Sequence, residues 1–85
     1  MSPRIADLAP TEAHVTDYDR QHAALYLRLL DAAEEGAAWE DVARIVLAID
    51  PTREPERAHG TYQSHLARAR WLTEQGYRDL LRAPR

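Results

Sequence analysis

Apolar residues recur at helical spacing in three stretches of this chain. Between Asp17 and Glu35, the residues Tyr18, His22, Leu25, Leu29 and the Ala32/Ala33 pair fall on one stripe, which predicts a helix over 17–35. Thr16 or Asp17 is placed to cap its start and Gly36 to stop it. Ala23, Leu27 and Leu30 lie round the other side, and a helix that is apolar on more than one face is either central or covered by something else. Trp39, Val42, Ala43, Val46 and Ile49 form the stripe of a second helix, 39–49. Asp50-Pro51 ends it, because the residue before a proline disfavours the helical region. A third, longer helix spans 53–75 with Ala58, Tyr62, Leu66, Ala69 and Leu72/Thr73 inward. Pro55 fits only in its first turn. Gly60 is a weak point, worth about 1 kcal/mol relative to alanine, where the helix can kink or restart. Gly76 ends this helix, and a short last helix, 77–82, turns Leu80 and Leu81 inward.

Residues 1–16 hold two prolines and no sustained period. They read as an extended or disordered arm that Ile5, Leu8 and Val15 could dock at one end. The expected architecture is all-α: one helical domain over 17–83, a three-to-four-helix bundle. The short second helix, the turn and the Arg-bearing third helix have the outline of a helix-turn-helix core.

Composition narrows the chemistry. Eighty-five residues make one small domain, and there is no cysteine, which excludes disulfides, Cys-based zinc sites and thiol catalysis. The four histidines, His14, His22, His59 and His65, contain no i, i+4 pair to hold a metal on one helical face. His22 lies on the inward stripe and reads as a hydrogen-bonded core residue. There is no placeable Ser/His/Asp set and no Gly-rich phosphate loop. The expectation is a chain that is not an enzyme and has no metal, cofactor or small-molecule substrate. No stretch approaches the roughly 18 apolar residues of a membrane span, and no signal-peptide pattern opens the chain, so the cytoplasm is the default location.

Charge is split along the chain. The net charge is −3, and all eleven basic residues are Arg. Residues 1–43 carry three Arg against nine acids, whereas residues 44–85 carry eight Arg against five. A net-acidic chain is a poor general binder of phosphate backbones, while the basic half keeps a DNA reading open. One face of the third helix carries Arg57, Thr61, Ser64 and Arg68. It could meet phosphates and base edges, or it could be an ordinary solvated face. Trp71 lies nearly opposite the inward stripe, and either Tyr77, Leu80 and Leu81 fold over it or it anchors a partner.

The stretches TDYDRQHAALYLRLLDAAEEGAAWEDVARIVLAIDP and REPERAHGTYQSHLARARWLTEQGYRDLL, and within them YLRLLDA, RIVLAIDP, SHLARARW and GYRDLL, resemble the bacterial domain of unknown function 2285. The resemblance covers about residues 16–82 and implies a helix-turn-helix variant linked to integrative and conjugative elements. It is strongest to the stand-alone, QseM-like antiactivators. It implies binding to a quorum-sensing LuxR-type activator and to a related activator carrying the same domain, with repression of excision and conjugative transfer. The acidic net charge and sparse Arg of the third helix suit a fold turned from DNA to protein partners.

The leading expectation is therefore an antiactivator acting by stoichiometric protein contact through Leu27, Leu30, Arg57, Arg68 and Trp71. The alternative is a helix-turn-helix DNA-binding regulator with Arg57, Thr61, Ser64 and Arg68 facing the major groove.

Overall fold

The computed structural model describes residues 4–76. All regular structure among them is helical: α1 (Asp17–Gln21), α2 (Ala23–Glu34), α3 (Trp39–Ile45), α4 (Pro55–Trp71) and a π-helical turn, Leu72–Gly76. The expected helix over 77–82 and the proposed cover of Trp71 by Tyr77, Leu80 and Leu81 lie outside the described residues.

The single helix expected over 17–35 is two helices broken at His22. Thr16 caps α1 with a capping box: its hydroxyl accepts from the Asp19 N–H, and the Asp19 carboxylate accepts from the Thr16 N–H. His22 leaves helical backbone values (φ −111°, ψ 22°). Its ring stacks on Tyr18 at 3.9 Å, and both ring nitrogens face carbonyl oxygens, that of Tyr18 at 2.9 Å and that of Arg4 at 3.1 Å. Drawing the ring towards the arm displaces the backbone at this one residue. The Tyr26 N–H donates to the His22 carbonyl, so hydrogen bonding resumes at once in α2.

Gly36 sits at φ 77° and ends α2 as a left-handed stop. α3 is shorter than the expected 39–49. It stops at Ile45, and Ala48 takes φ 58° while the Ile49 N–H reaches back to the Ala43 carbonyl. The reversal precedes Pro51 and has a packing reason. Leu47 and Ile49 are both buried, with Ile45 left 70% exposed. A continued helix puts Ile49 on the stripe and Leu47 off it, whereas the reversal buries both. The third expected helix starts at Pro55, not Arg53, and changes to π geometry after Trp71.

α4 is the central element and packs along α2 and α3. Between them lies one core of Leu29, Val42, Ala43, Leu47, Ile49, Ala58 and Leu66, with Leu25, Trp39, Val46 and Tyr62 packed at its edge. Burial of this apolar surface drives folding at roughly 25 cal/mol per Å². The opposite flank of α4 is buried as well. Thr61, His65 and Arg68 are almost fully inaccessible, covered by α1 and the arm. The arm is extended, yet Ala9 and Val15 are buried and the Ala9 N–H donates to Ser64 Oγ.

Thr61 Oγ1 has no hydrogen-bond partner among the described residues, and an unsatisfied buried hydroxyl costs about 1–3 kcal/mol. Thr61→Val is expected to leave the fold intact and to raise the urea unfolding midpoint.

Candidate nucleic-acid interface

The surroundings of α4 divide it into three arcs. One arc (Ala58, Tyr62, Leu66, Ala69) faces α2 and α3. A second (Thr61, Ser64, His65, Arg68) faces α1 and the arm. The third is exposed and carries Glu56, His59, Gln63, Ala67 and Arg70, with Gly60 at its margin.

The second arc is held by two polar networks. In the first, Arg68 and Asp19 form a forked ion pair, Nη2 to Oδ2 at 2.6 Å and Nε to Oδ1 at 3.1 Å, with side chains only 4% and 1% exposed. Arg68 also donates to the Glu12 carbonyl at 2.7 Å and the His14 carbonyl at 2.8 Å. Asp19 accepts further from Tyr26 Oη at 2.8 Å and from the Thr16 N–H at 2.9 Å. The guanidinium lies over the Trp71 ring, 4.2 Å from its centroid, as a cation–π contact. Burial acts to raise the Asp19 carboxyl, but the Arg68, Thr16 and Tyr26 hydrogen bonds outweigh it and hold the group at about 2. Burial and the Asp19 hydrogen bond push the Tyr26 phenol up.

In the second network, His65 Nδ1–H donates to the Thr61 carbonyl at 2.8 Å, which leaves Nε2 to accept from Tyr18 Oη at 2.6 Å. The Tyr18 oxygen in turn accepts from the Ala6 N–H at 2.9 Å. These roles require a neutral His65 ring, and burial lowers its pKa from 6.5.

The outcome for the expected site residues is mixed. Arg57, Thr61, Ser64 and Arg68 do share one side of α4, but that side is turned inward. Thr61 and Arg68 are buried, Ser64 is half-buried against the arm, and only Arg57 is exposed. Neither buried residue can face DNA or a protein partner. Arg57 is itself engaged, 2.8 Å from Asp7 and 3.1 Å from Glu54. Leu27, at 61% exposure, and half-buried Leu30 line an apolar groove with Val15, Tyr26, Ala69 and Leu72. This groove lies beside the last turn of α4, about 20 Å from Arg57 at 1.5 Å per residue. The five expected partner contacts therefore do not form one surface.

Sequence reading missed Asp19, Tyr26 and His65 as buried partners and the outward arc as the free one. One available signal was T-x-x-D at residues 16–19, which marks Asp19 as a capping residue. Another was the spacing of Glu56, His59, Gln63, Ala67 and Arg70 at three- and four-residue intervals.

Four described arginines, Arg4, Arg28, Arg53 and Arg70, are exposed and make no ion pair among the described residues. Arg53 precedes α4 and Arg70 lies in its last helical turn. They stand at the two ends of the outward arc, which itself carries the acidic Glu56. No group of His, Asp or Glu among the described residues could hold a metal, and no helix there is long and apolar enough to cross a membrane.

Residues 2–82 match a family described as "T6SS, Transcription factor, DNA binding domain". The chain belongs to that family. No curated protein matches it. Membership overturns the resemblance to the domain of unknown function 2285 and the QseM-like antiactivator role drawn from it. It also reverses the expected ranking of protein partners above DNA. The resembling segments are packing segments: YLRLLDA supplies Tyr26 and Leu29, RIVLAIDP supplies Leu47, Ile49 and Pro51, and SHLARARW supplies His65, Leu66, Arg68 and Ala69, all buried. They report a helical core and not a partner. Net charge misled for a related reason. Asp7, Asp17, Asp19, Asp41 and Glu54 are each paired with an Arg of this chain, so the sum says little about the field over α4. A transcription-factor DNA-binding domain is not a class of enzyme.

Removing one partner of a buried ion pair strands the other, at about 3–5 kcal/mol. Arg68→Met is expected to lose that much in urea unfolding, with a double-mutant cycle against Asp19→Asn showing strong coupling. For His65 the folded value lies below the unfolded one. Its stabilising contribution is complete above 6.5 and is lost as the pH falls through the folded value. Thermal melts of the wild type should therefore fall in midpoint on acidification below that point, and His65→Gln should flatten the dependence.

Proposed function

We propose that this chain binds duplex DNA as the DNA-binding part of a transcriptional regulator, in the manner of a helix-turn-helix. The family match across residues 2–82 carries the reading. The arrangement of α4 supports it. This helix is 17 residues long, about 25 Å, and a helix of about 10–12 Å diameter fits a major groove about 12 Å wide. α2 and α3 fix it from one side, and α1 with the arm fix it from the other, so the outward arc is presented on a rigid support. In this reading the arc enters the groove while Arg53 and Arg70 meet the flanking phosphates. Phosphate contacts of this kind set position and affinity, not sequence.

The T6SS in the family's description suggests which genes such a regulator serves, and a DNA-binding role suits a cytoplasmic location.

Fluorescence anisotropy with a labelled duplex, titrated across salt, tests the reading. Binding should weaken as salt rises. Arg53→Ala and Arg70→Ala should each weaken binding about equally for all sequences and lower the salt slope by about 1. Absence of duplex binding at low salt by the folded protein would overturn the proposal.

A further inference from the structure

On the outward arc of α4, Gln63 stands at the centre. His59 and Ala67 lie one turn before and after it, and Gly60 is three residues back. Gln63 is exposed and its side chain makes no hydrogen bond among the described residues. His59 is held edge-on to Trp39, 4.7 Å between ring centroids, so it is already used in joining α3 to α4. Ala67 is too short to reach beyond the helix surface. The Gln63 amide is thus the polar group that projects furthest at mid-helix.

Gly60 has no evident role inside the fold. Its backbone is not in the left-handed region, and a methyl group built on it meets nothing within 4 Å among the described residues. A glycine in a helix interior weakens the helix, and here no packing contact or turn geometry offsets that. Its effect is to remove bulk beside Gln63, where another molecule can approach the helix backbone closely.

From these two observations we infer that Gln63 is the base-reading residue of α4, and that Gly60 admits the DNA edge beside it. A glutamine side chain offers a donor and an acceptor together, the pattern that pairs with the N6 and N7 of adenine in the major groove. The inference rests on the DNA-binding reading above and adds to it a residue and a base.

The test is selection by the full chain from a pool of duplexes with a randomised central stretch, followed by binding measurements on the selected duplex. The wild type should enrich an A·T pair at one fixed position. Gln63→Ala, with an unchanged circular dichroism spectrum, should keep the rest of the site and lose discrimination at that position by roughly ten- to a hundredfold. Gly60→Leu should melt at or above the wild-type temperature and bind the selected duplex more weakly. Selection of the same sequence by Gln63→Ala, or undiminished binding by Gly60→Leu, would overturn the inference while leaving DNA binding in place. A wild type that binds duplexes with no preference would do the same. A wild type that retains no duplex at all would overturn both.

Discussion

The ion pair between Arg68 and Asp19 is the contact on which the architecture depends. Two charges taken from water are costly unless the geometry is good and their remaining hydrogen-bonding groups are satisfied. Both conditions hold here. The carboxylate receives four hydrogen bonds, two of them from the guanidinium, and the guanidinium gives two more to the carbonyls of Glu12 and His14. The planar fork of arginine makes this possible, and a lysine ammonium could not reproduce it. One side chain of α4 thereby fastens α1, α2 through Tyr26, and the arm.

This makes the arm part of the domain. Small domains bury a modest fraction of their surface and have little stability to spare. The segment of residues 4–16 adds cover for α4 that the bundle alone does not provide. The second network does the same from the residue beside Asp19, where Tyr18 and His65 hold Ala6, and His22 at the end of α1 reaches Arg4. With two of its three sides committed in this way, α4 is left with a narrow outward arc. That arc is the surface the proposed DNA contact would use.

Much of the core was legible in the chain. Leu29, Val42, Ala43, Ile49, Ala58, Leu66 and Ala69 all stood on the expected stripes and are all buried. His22, on its stripe among apolar neighbours, is a hydrogen-bonded core residue as read. The second flank of α4 was not legible. Thr61, His65 and Arg68 are polar, and a pattern of apolar against polar positions assigns such residues to solvent. The partners of His65 and Arg68 lie far away in sequence, Tyr18 at 47 residues and Asp19 at 49. The reading of Arg57, Thr61, Ser64 and Arg68 as one face was sound as helical geometry. It failed as a surface because the arm covers that face. The early end of α3 was hidden for a similar reason, since the choice between a continued helix and a reversal at Ala48 depends on burying Leu47.

The helical class, the order of the main elements and most residues of the central core follow from local spacing and from capping residues such as Thr16 and Gly36. Which side of α4 is free was settled by tertiary packing alone. A periodic pattern says that a side chain shares a face with its neighbours three and four positions away. Whether that face meets water or another part of the chain is decided by partners that local spacing does not contain. Here the partner was Asp19, and its pairing with Arg68 moved the outward surface from the arginine face to the arc centred on Gln63.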